Sequence, residues 1–241
     1  MGTERYIVGT SGAYHAGRRT DWEYGPLAAY AVELSGAEGR PQIGYLATAS
    51  GDQKARIAER AEAARLRGWQ LNPLTTFMMP NVEDPEEYLL AQDVIWVDGG
   101  SVVNLLAVWR EHGLDQIMRT AWEKGIVLAG VSAGSMCWHA GGATDSFGPE
   151  LRPYTRGLAF LPYGNGVHYG VNPLRRQLIG EMVADGTFTE AYSSENGIGL
   201  VYRGTELAEV VSDRPDVYGW HTRVEGDQVV EDRLTPRRLP D

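Results

Sequence analysis

A single cysteine, Cys137, stands in the 241 residues. It excludes an intrachain disulfide and any multi-cysteine metal site, and it fits a chain kept in a reducing compartment. No apolar run reaches bilayer-spanning length, and the N-terminus lacks the apolar core of a signal peptide. A cytoplasmic location, with no membrane partner, is the expectation. Basic stripes and arms are missing as well. The net charge of -10 argues against sequence-independent binding to nucleic acid, and the late pair Arg237-Arg238 reads as part of a solvated tail. The five histidines are scattered, with no H-x-x-x-H or H-E-x-x-H pair, so no metal and no other cofactor is expected. Repeats, low-complexity segments and linkers are absent, which leaves one domain over residues 1–241.

What is present suits a globular α/β protein: 43% hydrophobic and 22% charged residues, in a length that can bury a sizeable core. Short apolar runs alternate with helical stretches. Strands are expected at Tyr6–Gly9, Gln42–Ala47, Trp69–Leu74 and Val94–Val97. Helices are expected at Pro26–Leu34, from an Asp52 cap to about Arg67 with Gly68 as stop, at Pro85–Leu90, Val102–His112 and Leu114–Lys124. That alternation predicts a mostly parallel sheet covered on both faces. After Ala140 glycine, proline and tyrosine become frequent, and one helix remains, near Leu174–Ala184. The C-terminal third is expected to extend the sheet in antiparallel fashion.

The segment Gly125–Gly134 reads as a buried strand ending in Gly130-Val131-Ser132-Ala133-Gly134, with a helix-forming stretch Ser135–Ala140 behind it. G-x-S-x-G between strand and helix is the nucleophile elbow, a turn so tight that the residues two before and two after the serine must be small. The bland alternative is a glycine-rich turn with an incidental serine. The preceding apolar strand favours the nucleophile.

A serine nucleophile needs a base, and the base an orienting acid. His112 sits at a helix end beside Gly113. His139 lies seven residues beyond the serine on the expected helix, about two turns away and out of reach. His15 lies in the loop after the first strand, with no supporting pattern. Two orders compete. One runs Ser132, His168, Glu195, with His168 in a glycine-rich loop and Glu195 in the turn Ser193–Gly197. The other runs Ser132, Asp185 or Asp213, then His221, the order of α/β-hydrolases, which would make a carboxylesterase; no HGGG segment accompanies it.

Gly130–Trp138, Ala143–Gly148, the His168 loop, Glu195-Asn196-Gly197 and Val97–Leu106 together resemble the peptidase E (aspartyl dipeptidase) and cyanophycinase family of serine peptidases. The resemblance runs from the first strand to about Tyr202. It implies a three-layer α/β fold of the class I glutamine amidotransferase (flavodoxin-like) kind, with the elbow after a central strand. It also implies a Ser132-His168-Glu195 triad, with Asp145 as rival acid and an oxyanion hole from the amides of Gly99, Gly100 and Ala133. Glycines there let the backbone approach a reacting carbonyl, and the residue after the nucleophile supplies an amide. The implied substrates are short peptides with an N-terminal aspartate, whose carboxylate would meet Arg175 or Arg176, or else Arg152 or Arg156. Cyanophycinase-like β-aspartyl cleavage is the neighbouring expectation, and a non-catalytic binding module the distant one. A homodimer is the default assembly, because soluble oligomers are most often twofold.

Overall fold

Valine- and isoleucine-rich runs of four or five residues, each ending in glycine or a turn, form the centre of the protein. The structure is a computed structural model describing residues 4–18 and 20–240. The chain opens with β1 (Tyr6–Thr10), the hairpin of β2 (Tyr14–Ala16) and β3 (Trp22–Tyr24), and α1 (Pro26–Leu34). Next, β4 (Gln42–Leu46) leads through a 3-10 turn at Thr48–Ser50 into α2 (Lys54–Leu66), β5 (Gln70–Leu74), α3 (Pro85–Leu90) and β6 (Val94–Val97). Helices α4 (Val102–Glu111) and α5 (Leu114–Glu123) precede β7 (Val127–Val131) and a single helical turn, α6 (Ala133–Met136). Then come β8 (His139–Thr144), β9 (Arg152–Tyr154), β10 (Leu161–Val167) and α7 (Pro173–Ala184). The last strands are β11 (Glu190–Ser194), β12 (Ile198–Arg203), β13 (Glu206–Ser212), β14 (Gly219–Glu225), β15 (Gln228–Leu234) and β16 (Arg237–Arg238).

Two larger sheets result. The first has eight strands in the order β16-β13-β12-β1-β7-β6-β4-β5, and its β1-β7-β6-β4-β5 half is parallel throughout. Strand side chains alternate between two apolar layers. Val94 and Trp96 of β6 pack with Leu27, Ala31, Ala63 and Ala64 of α1 and α2. Ile95 and Val97 pack instead with Leu105, Trp109, Met118 and Trp122 of α4 and α5. Burial on both faces explains why these strands read as continuous apolar runs.

The C-terminal third departs from the expected simple extension. Strands β12 and β13 do add antiparallel beside β1. The remainder builds a second, six-stranded sheet, β15-β14-β11-β10-β8-β9, whose centre β8-β10-β11 is parallel. The helix expected at Ser135–Ala140 is cut to one turn because β8 already begins at His139, which pairs with Leu161 of β10. Asp52 is not the cap of α2; Gln53 holds that position without a side-chain bond. The Asp52 carboxylate instead accepts from Thr76 N and Phe77 N, fixing the loop after β5. Gly68, at φ 76, does end the helix.

Beneath the elbow, His139 is fully buried between Ser135 O, 2.9 Å from Nδ1, and the Tyr202 hydroxyl, 3.1 Å from Nε2. A carbonyl only accepts, so Nδ1 carries the proton and Nε2 accepts from Tyr202. Burial pushes this imidazole down from 6.5 to about 4. As pH falls below 6.5, the unfolded chain therefore takes up a proton that the folded chain refuses until about pH 4. Stability drops across that window by roughly 3 kcal/mol. Denaturant titrations of wild type and His139→Gln between pH 7 and pH 4 are expected to show the steeper loss in wild type.

Candidate active site

The parallel strands of both sheets end on one side of the molecule, and the sequence motifs meet there. β7 is flanked by β1 and β6, so the turn after it emerges between the loops that follow those two strands. Ser132 adopts φ 58 and ψ -110, a positive-φ conformation that non-glycine residues rarely take. The neighbouring glycines are steric necessities. A methyl group on Gly130 would stand 2.3 Å from Gly134 O, and one on Gly134 would stand 2.1 Å from Val97 O. The elbow is held by Ser132 N, which donates to Thr10 O at 2.9 Å.

His168 follows β10 and is half-buried, with its own φ at 54. Its Nε2 lies 2.9 Å from Ser132 Oγ, and its Nδ1 lies 2.6 Å from Asn196 Oδ1. An amide oxygen accepts, so the proton sits on Nδ1 and the Nε2 lone pair faces the serine hydroxyl. That is the protonation state a general base requires.

Glu195, expected to be the acid, is adjacent but turned elsewhere. Its carboxylate accepts from Tyr218 N at 3.1 Å and Trp220 Nε1 at 2.9 Å, tying the β11–β12 turn to the start of β14. The side chain bound to His168 is Asn196, one residue along. Asp145, the rival, accepts from Arg175 at 3.2 Å. His221 pairs with Glu190 and stacks on Tyr192 at 4.5 Å between β11 and β14, Asp213 pairs with His15 at 2.7 Å, and Asp185 caps the end of α7. The Ser132-Asp-His221 arrangement is therefore not assembled. His112 is the cap residue at the end of α4.

Two residues that the sequence did not single out join the parts. Ser11, buried at the end of β1, accepts from His168 N at 2.9 Å through Oγ and sits 2.6 Å from Ser194 Oγ. Its backbone N donates to Ile198 O and its carbonyl accepts from Gly197 N. Thr10-Ser11 thus touches the segments carrying Ser132, His168 and Asn196. The second is Arg56, in the first turn of α2, which reaches the turn after β6. Asp98 there is buried and accepts from Tyr45 OH at 2.6 Å and Gly99 N at 2.9 Å, with Arg56 Nε at 3.2 Å. Burial, with Asp98 adding to it, pushes the Tyr14 and Tyr45 hydroxyls well up, so both remain neutral donors.

The Gly99 amide, one of three expected at an oxyanion hole, is thus already engaged by Asp98. Of the expected carboxylate readers, Arg175 is buried on Ala143 O and Asp145, and Arg176 is bonded to Glu231 and lies over the Trp220 ring. Arg152 lies near the Phe147 ring, at 6.0 Å. Arg156 lends its carbonyl to Arg110. Among the described residues no group of three or more His, Cys, Asp or Glu is placed to hold a metal ion. No helix among them is long and apolar enough to cross a membrane.

A family model, that of peptidase family S51, matches residues 19–210. The chain belongs to this family. The S51 chain is 32% identical over 200 residues to an uncharacterized peptidase, YgaJ, of Bacillus subtilis (strain 168), covering 83% of this chain and 86% of that one. Its fold is similar to that of a peptidase from an acI-B1 actinobacterium, with TM-score 0.70, 18% identity and coverage of 98% and 96% of the two chains. It is also similar to a candidate peptidase E from Listeria monocytogenes EGD-e, with TM-score 0.60, 15% identity and coverage of 97% and 100%. The S51 chain is a serine-type peptidase with an α/β fold of mixed sheets.

Proposed function

We propose that this S51 peptidase hydrolyses short peptides, dipeptides with N-terminal aspartate foremost, through an acyl-enzyme on Ser132. The observation that carries the mechanism is the line Ser132 Oγ, His168 Nε2, His168 Nδ1, Asn196 Oδ1. His168 takes the hydroxyl proton as Oγ attacks the peptide carbonyl, and the amides of Gly100 and Ala133 receive the oxyanion. His168 then protonates the leaving amine, and the C–N bond breaks. Water enters, gives a proton to His168 and releases the acyl group, and Ser132 recovers its proton.

Asn196 orients the imidazole and keeps the proton on Nδ1, as the asparagine of Cys-His-Asn peptidases does. Glu195 acts indirectly, by bracing the turn that presents Asn196. Aspartate preference rests on the resemblance to peptidase E. Cyanophycinase-like β-aspartyl cleavage stays in the same chemistry, and an esterase using His221 is disfavoured by the pairing of His221 with Glu190.

A panel of Asp-X, Glu-X, β-Asp-X and neutral dipeptides separates these readings, with Ser132→Ala as the blank. Asp-X is expected to give the highest kcat/KM. Faster turnover of β-Asp-X moves the assignment to isopeptides, and no peptide turnover by wild type refutes it.

A further inference from the structure

The backbone around Gly99 is gripped from both sides. The peptide unit before it offers its N–H to Asp98 Oδ1 at 2.9 Å, and the peptide unit after it offers its C=O to Arg56 Nη1 at 3.4 Å. Arg56 also contacts Asp98 through Nε, at 3.2 Å, so one guanidinium joins both grips. A peptide unit is planar and trans, and its C=O and N–H point in opposite directions. With Gly99 O turned toward α2, the N–H of Gly100 must point away from α2. Gly99 itself lies against the nucleophile: a methyl group there would be 3.3 Å from Ser132 Cβ and 3.9 Å from Ser132 Oγ. Gly100, at φ 146, is pressed onto the 3-10 turn, where a methyl group would stand 2.3 Å from Ala49 O. Ser101 N locks the far side by donating to Ala49 O at 2.8 Å.

From this we infer that Arg56 is a positioning residue for catalysis, acting from behind the oxyanion turn. It fixes the direction of the Gly99–Gly100 peptide and polarises it, so that the Gly100 N–H is a preset donor when negative charge develops on the substrate oxygen. A donor aligned beforehand needs no reorganisation during the reaction, and a hydrogen bond to the carbonyl of a peptide strengthens its N–H as donor. Asp98 completes the device by taking the Gly99 amide, which leaves Gly100 and Ala133 as the oxyanion pair. Arg60, buried beside Asp98 and stacked 3.8 Å over the Tyr14 ring, supplies a second cation behind the turn. Lysine at position 56 would keep the charge but not the two-point grip, because only the planar guanidinium reaches the carboxylate and the carbonyl together.

This inference rests on the Ser132 mechanism proposed above, so the test begins with that mechanism. Wild type is treated with a serine-directed fluorophosphonate, with Ser132→Ala as control. Absence of a Ser132 adduct removes the mechanism and this inference with it. With the adduct present, Arg56→Gln and Arg56→Lys are assayed on Asp-X and neutral dipeptides and with a peptide aldehyde, whose hemiacetal oxyanion mimics the transition state. Both variants are expected to lose about 10- to 100-fold in kcat with KM within about threefold. The loss should be the same for both substrate classes, the aldehyde Ki should rise in parallel, and thermal unfolding should confirm the fold. A loss confined to acidic substrates, or full kcat in Arg56→Lys, overturns the inference while leaving the Ser132 mechanism standing.

Discussion

Ser132→Ala is expected to lower kcat for dipeptide hydrolysis by roughly four to six powers of ten, with little change in KM. The expectation follows from how many features converge on one hydroxyl. Its backbone is held at φ 58 by two glycines that admit no side chain, and its Oγ faces the imidazole lone pair at 2.9 Å. Two neighbouring hydroxyls are engaged elsewhere. Ser135, the closest hydroxyl in sequence, is fully buried and donates to Asn165 Oδ1. Ser11 is occupied by His168 N and Ser194. Stopped-flow assays on wild type and steady-state assays on concentrated variant would measure the ratio. Mass spectrometry of a fluorophosphonate adduct, present in wild type and absent in the variant, would assign the site. Retention of even one-hundredth of wild-type kcat in carefully purified variant would place the nucleophile elsewhere.

Parts of this site were legible in the sequence because backbone sterics leave a trace in residue type. Gly130 and Gly134 declare the elbow, and an apolar run such as Val94–Val97 declares a strand buried on both faces. Other parts depend on choices that sequence leaves equal. Glu195 and Asn196 are neighbouring acceptors in one turn, and which of them faces His168 is decided by the indole of Trp220 and the amide of Tyr218, more than twenty residues away. The second sheet was hidden for a related reason. His139–Thr144 and Leu161–Val167 carry several glycines and few β-branched residues, so nothing local distinguishes a parallel centre from an antiparallel edge. Arg56 lies in a helix with several other arginines, and what sets it apart is its contact with Asp98 and Gly99 in the loop after β6. Asp52 looked like a helix cap because aspartate before a helix usually is one. The loop after β5 offered it two amides instead.

Asn196→Ala is expected to cost about a thousand-fold in kcat, second only to loss of the nucleophile or base, because it removes the acceptor that keeps the His168 proton on Nδ1. Without Asn196 Oδ1 the imidazole can rotate or carry its proton on Nε2, and either change withdraws the lone pair from Ser132. Asn196→Asp keeps an acceptor in the same place and is expected to recover most of that loss, which a merely structural asparagine would not predict. Glu195→Gln is the matched comparison. Its side-chain oxygen can keep one of the two bonds, to Tyr218 N or Trp220 Nε1, while its NH2 faces the other donor, so the turn loosens without losing Asn196. About a tenfold loss is expected. Asp145→Asn, which alters only the contact with Arg175, should stay near wild type. If Glu195→Gln proves more damaging than Asn196→Ala across a pH–rate profile, the carboxylate rather than the amide orients His168 during turnover. The turn must then move when substrate binds, bringing Glu195 away from Trp220 and onto the imidazole.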